Sequence, residues 1–117
     1  MTLEAFYNTI GSDYVSALTR MGNSEKMLGK FVRKFTNDKT TAELTAAFGS
    51  GDYETAFRMA HTLKGLCANL GLDKLRNSSA ELTEALRNNV SDNASELLKQ
   101  VREDYEMTID ALAQLDE

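Results

Sequence analysis

Apolar residues recur at helical spacing along most of the chain. From Ser12 to Met21 a short segment sets Tyr14, Val15 and Leu18 on one side. From Ser24 to about Thr36, Met27, Leu28, Phe31, Val32 and Phe35 follow the i, i+1, i+4, i+5, i+8 rhythm of an amphipathic helix. After a break at Thr36-Asn37-Asp38, Leu44, Ala47 and Phe48 continue a similar face from about Lys39 to Phe48. Ser50-Gly51-Asp52 reads as a turn, with Asp52 as N-cap of a helix running to Leu70. Leu75, Leu82 and Leu86 line one side of the next helix, which fades at Asn88-Asn89. Ser91 or Asp92 is placed to cap the last helix, where Leu98, Val101, Tyr105, Ile109 and Leu112 repeat at three- and four-residue steps.

No segment sustains two-residue alternation, and no Asn-Gly or Asp-Gly hairpin turn occurs. The expected fold class is all-α: an antiparallel up-and-down four-helix bundle, its main helices roughly 13 to 25 residues long, with short N-terminal helices at one end. Gly11, Gly22, Gly49, Gly51 and Gly71 fall between the periodic segments, whereas Gly29 and Gly65 fall inside them. At 117 residues, with no internal repeat and no linker tract, the chain reads as one domain over 1–117.

Composition narrows the function classes. Hydrophobic residues make up 42% and charged residues 26%, the balance of a folded globular chain. Apolar runs stay far below the roughly 20 residues needed to cross a bilayer. The first basic side chain is Arg20, so the start lacks the basic region of a signal peptide. A lone Cys67 makes no internal disulfide and fits a reducing compartment; a cytoplasmic location is expected. The net charge of −5 disfavours a general basic surface for nucleic acid or anionic membrane. One histidine and one cysteine are too few for a metal site of the usual kind. His61 and Cys67, six residues apart, stand about 120° around and 9 Å along a helix, so they cannot form a nucleophilic pair. Cys67 is expected in the core.

A helical wheel from Ala56 to Leu70 gathers Ala56, Met59, Ala60, Leu66, Cys67 and Leu70 within about 60° of Leu63. That stripe faces inward. His61 falls about 160° away from Leu63, with Lys64 and Gly65 one turn on, on the same outer surface. Arg58 and Ala68 share that surface and Phe57 sits at its margin. A glycine inside a helix costs about 1 kcal/mol relative to alanine. Beside an exposed imidazole it makes sense if another protein must come close to the ring. Lys64 puts a positive charge one turn from it, suited to an anion such as a phosphoryl group.

These residues carry a resemblance. His61-Thr62-Leu63-Lys64-Gly65, continuing to Leu70-Gly71, is similar to the signature H-x-L-K-G-x-x-x-x-L-G of histidine-containing phosphotransfer (HPt) domains, with each fixed position matched. The Gly51-Asp52 turn, Leu75 and Leu82 also fall where that family has comparable residues. The resemblance implies a four-helix bundle and a phosphoryl carrier of a multistep His–Asp phosphorelay. His61 would accept a phosphoryl group from a receiver-domain aspartate and pass it to another. Lys64 would steady the phosphoryl oxygens, and Gly65 would leave room for the receiver. Phe57, Arg58 and Ala68 would add docking contacts. The implied partners are receiver domains of response regulators and hybrid histidine kinases. No cofactor is implied on this chain, since the receiver brings the Mg²⁺ and the acidic pocket.

The match has departures. Family members often have small residues at the positions of Leu66 and Cys67. Phosphotransfer domains of chemotaxis kinases carry a glutamate that orients the histidine; here Thr83 takes its place, with Glu84 one position on and about 100° around the helix. No ATP-binding region is present, so no autokinase activity is expected, and a carrier of this size would work as a monomer. The alternative is a helical adaptor that binds receivers without phosphoryl exchange. A conventional enzyme would need a cleft rather than a convex helical surface. Lys26, Lys30, Arg33 and Lys34 read as a solvated face, and Asp104, Glu106, Asp110, Asp116 and Glu117 as an acidic, soluble C-terminal helix.

Overall fold

The computed structural model describes residues 1–116, among which every regular element is helical. Seven α-helices follow in order: α1 Leu3–Thr9, α2 Tyr14–Arg20, α3 Glu25–Lys34, α4 Thr40–Gly49, α5 Tyr53–Leu70, α6 Asp73–Leu86 and α7 Ala94–Leu112. A 3₁₀ turn over Phe35–Asn37 follows α3. Helices α4 to α7 form the bundle. Each packs on the next, and α4 also meets α7, which closes the ring. The molecule measures 40 × 23 × 19 Å.

Side chains start several of these helices where the chain supplies an oxygen. Ser24 accepts from the Met27 amide at 3.2 Å and Asp52 from the Thr55 amide at 3.2 Å. The last helix differs from expectation. Neither Ser91 nor Asp92 caps it; α7 begins after Asn93, and the Ser91 hydroxyl donates to the Asn93 side chain instead. The segment from Ser12 begins its helix at Tyr14, capped by Asp13. There Val15 turns outward, 66% exposed, and Ala17 takes the buried side. Met27 is likewise exposed. The break expected at Thr36-Asn37-Asp38 is present, with Asp38 extended, and it makes α4 a separate helix of 10 residues, shorter than the roughly 13 to 25 expected of a main helix.

Leu28, Val32, Leu44, Ala56, Ala60, Leu63, Leu75, Leu82 and Val101 are sealed from solvent and form one core. Burying a leucine such as Leu63 stabilises the fold by about 1.5–3 kcal/mol. Helices α1 and α2 cover the end where α5 stops, α6 starts and α7 finishes. The buried Tyr7 hydroxyl donates to the Leu70 carbonyl at 2.6 Å, and the Asp73 amide donates to Ser12 at 3.0 Å. At the same end the Met1 ammonium pairs with Asp116 at 2.8 Å.

Gly71 makes that corner possible. Its φ of +72° ends α5 in the left-handed region, and an added Cβ would stand 2.7 Å from the Ala17 Cβ. Gly29 is buried, with the Arg33 guanidinium lying across it and Leu3 of α1 beyond.

Candidate functional site

The inward face of α5 holds the helix in place. Ala56, Ala60, Leu63, Cys67 and Leu70 are buried, and Met59 and Leu66 are half-buried, so the opposite face must point outward. His61, halfway along the helix, is exposed. Burial pushes the Cys67 thiol up to about 12, which keeps it protonated and unreactive. The two side chains lie on different sides of α5.

Around the imidazole the predicted residues divide. Lys64 is half-buried and Gly65 exposed, one turn further along. A Cβ built on Gly65 would meet nothing within 4 Å, so no internal contact requires glycine there. Phe57 stacks on His61, with the rings 17° from parallel and centroids 6.4 Å apart. Arg58 is exposed but its guanidinium turns back to the Thr55 hydroxyl at 3.1 Å. Ala68 is half-buried, and its carbonyl accepts a hydrogen bond from Arg20 of α2. It therefore marks the edge of the exposed face where α2 comes in. Leu66 and Leu70 instead line a groove of about 620 Å³ with Met21, Phe31 and Phe35, and His61 is not part of it.

Two residues of the site were not assigned a role from sequence. Arg87, directly after α6, lies over the Phe57 ring, its guanidinium carbon 5.3 Å from the centroid. It donates two hydrogen bonds to the Glu84 carboxylate, at 2.7 and 3.1 Å. Those bonds hold the Glu84 carboxyl below its usual range, and the charges of Arg87 and Lys64 act in the same direction. The three-residue spacing of Glu84 and Arg87 is visible in the sequence. Their register against Phe57 and Lys64 of the antiparallel α5 is not. Thr83 is buried, and its hydroxyl donates to the Ser79 carbonyl at 2.7 Å. It is sealed in the core.

The Hpt domain family matches residues 26–115, which takes in α4 to α7 and nearly all of α3. The chain belongs to that family. No curated protein and no solved structure matches it. Membership as an Hpt domain accounts for the helical bundle and implies histidine phosphotransfer in a phosphorelay, with receiver domains as partners. Hpt domains are phosphoryl carriers. No helix among the described residues is long and apolar enough to cross a membrane. No group of three or more His, Cys, Asp or Glu side chains among them is placed to hold a metal ion.

Proposed function

We propose that this Hpt domain carries a phosphoryl group on His61 between receiver domains, as a single cytoplasmic domain without kinase activity of its own. The observation that carries the reading is an exposed imidazole, the chain's one histidine, beside a glycine over which space is open. A ring nitrogen of His61 attacks the phosphorus of an aspartyl phosphate. The P–N bond forms as the P–O bond to the aspartate breaks, and the carboxylate leaves with the electron pair. The second ring nitrogen keeps its proton. In the onward step a second receiver's carboxylate attacks, and the P–N electron pair returns to the imidazole.

Lys64 offsets phosphoryl charge, and the bare surface at Gly65 admits the edge of the receiver's site. Phe57 supports the ring and, with Arg58 and Ala68, supplies docking contact. The receiver contributes the divalent cation, so the carrier needs only a presented ring and nearby positive charge. The test is transfer from a phosphorylated receiver domain. The expected product is an acid-labile, base-stable label on this chain that His61→Gln abolishes without unfolding the bundle. A His61→Gln variant that labels like the parent overturns the reading. Binding of receivers with no transfer supports the adaptor instead.

A further inference from the structure

Glu84 and Arg87 form an exposed pair three residues apart, and solvent screens such pairs so that they add little to stability. A pair serving helix stability alone has no need of the site. This one is built into it. Arg87 rests on the face of Phe57, and Phe57 rests on His61. The guanidinium is thus kept on the ring that stacks on the imidazole, by its contact with an aromatic face, while its charge is occupied by a carboxylate. Glu84 also feels Lys64 from the neighbouring helix, which leaves one acidic group acted on by two cations, one of them a single turn from His61 on α5.

Resting on the assignment of His61 as phosphoryl acceptor, we propose that Glu84 is a stand-in anion. In the unloaded protein its carboxylate holds Arg87 over Phe57, the ring that stacks on His61. When His61 carries a phosphoryl group, Arg87 leaves Glu84 for that group and joins Lys64 as a second cation. The exchange moves no proton and breaks no covalent bond: one ion pair opens into water and another closes. Its direction follows from charge. A phosphoryl group brings close to two negative charges and three acceptor oxygens, against one charge on the carboxylate. The weakness of the Glu84–Arg87 pair lets it yield. Glu84 is then a positioning residue, and Arg87 a ligand of the loaded state.

The experiment uses the full chain labelled with ¹⁵N and loaded on His61 with phosphoramidate, then equilibrated with a receiver domain. The Arg87 Nε–H resonance, assigned by its loss in Arg87→Lys, should shift on loading. Arg87→Ala should move the phosphoryl partition away from His61 by roughly two- to fivefold, the scale of one exposed ion pair. Arg87→Lys should restore part of it. Glu84→Gln, which removes the competing anion, should move the partition the opposite way. Opposite displacements by the two variants are not what a shared structural role produces. An Arg87 resonance that stays put on a loaded chain, or variants that move the partition together or not at all, overturns this inference alone. Failure of His61 to load by either route overturns the underlying reading and this one with it.

Discussion

A glycine at position 65 costs the helix interior about 1 kcal/mol relative to alanine, yet a methyl group there would touch nothing within 4 Å. Fold and function therefore make opposite demands on this residue. Gly65→Ala should raise stability by up to about 1 kcal/mol in thermal unfolding while slowing transfer from a phosphorylated receiver. A stabilised variant that transfers at the parental rate removes the clearance role. Lys64→Ala should slow transfer roughly two- to fivefold and leave the unfolding midpoint nearly unmoved, because the residue is only half-buried; an unchanged rate argues against its charge role. His61, Lys64 and Gly65 were legible in the sequence because they lie on one helix, where spacing alone decides direction. Glu84 and Arg87 were not. Their approach to Phe57 and Lys64 depends on the register between α5 and α6, which no periodicity within either helix contains.

Helix α5 is read easily because its two faces differ so strongly, and α6 and α7 follow the same rule with Leu75, Leu82 and Leu86 and with Leu98 and Val101. The weaker readings fall where local pattern is short. In α1, Leu3, Phe6 and Tyr7 are buried, as is Ile10 just after it, but only seven residues are helical, too few for a periodic signal. The helix is held by tertiary packing. The spacing groups Val15 with Tyr14 and Leu18 on one side of α2, yet Val15 is exposed, and the approach of Gly71 selects the small Ala17 for the buried side. This junction between α5 and α6 yields its own prediction. Gly71→Ala forces a side chain into a left-handed backbone and against the Ala17 Cβ at 2.7 Å. The loss should reach about 1–3 kcal/mol, measured by urea unfolding. Adding Ala17→Gly should relieve only the steric part, since the backbone strain remains. A Gly71→Ala protein as stable as the parent would show that the corner relaxes.

For the whole molecule, the core that fixes the site also sets how stability changes in alkali. Burial raises the Cys67 thiol from its ordinary 9.0 to about 12 and raises the Tyr7 hydroxyl in the same direction. Between those thiol values the unfolded chain has released the Cys67 proton and the folded chain still holds it. The folded state then binds more protons, so stability falls as pH rises from about 9 towards 12. Below about 9 both states keep the thiol protonated and the group adds no slope. Cys67→Ala removes this contribution while leaving that of Tyr7. Its urea midpoint at neutral pH should drop modestly from the lost packing, but its decline between about pH 8 and pH 10.5 should be shallower than the parent's. Parallel declines would place the alkaline sensitivity elsewhere. The imidazole stands on the other side of the same helix, so the variant should load His61 as the parent does at neutral pH, and a loading defect there would mean that α5 does not separate its buried face from its exposed one.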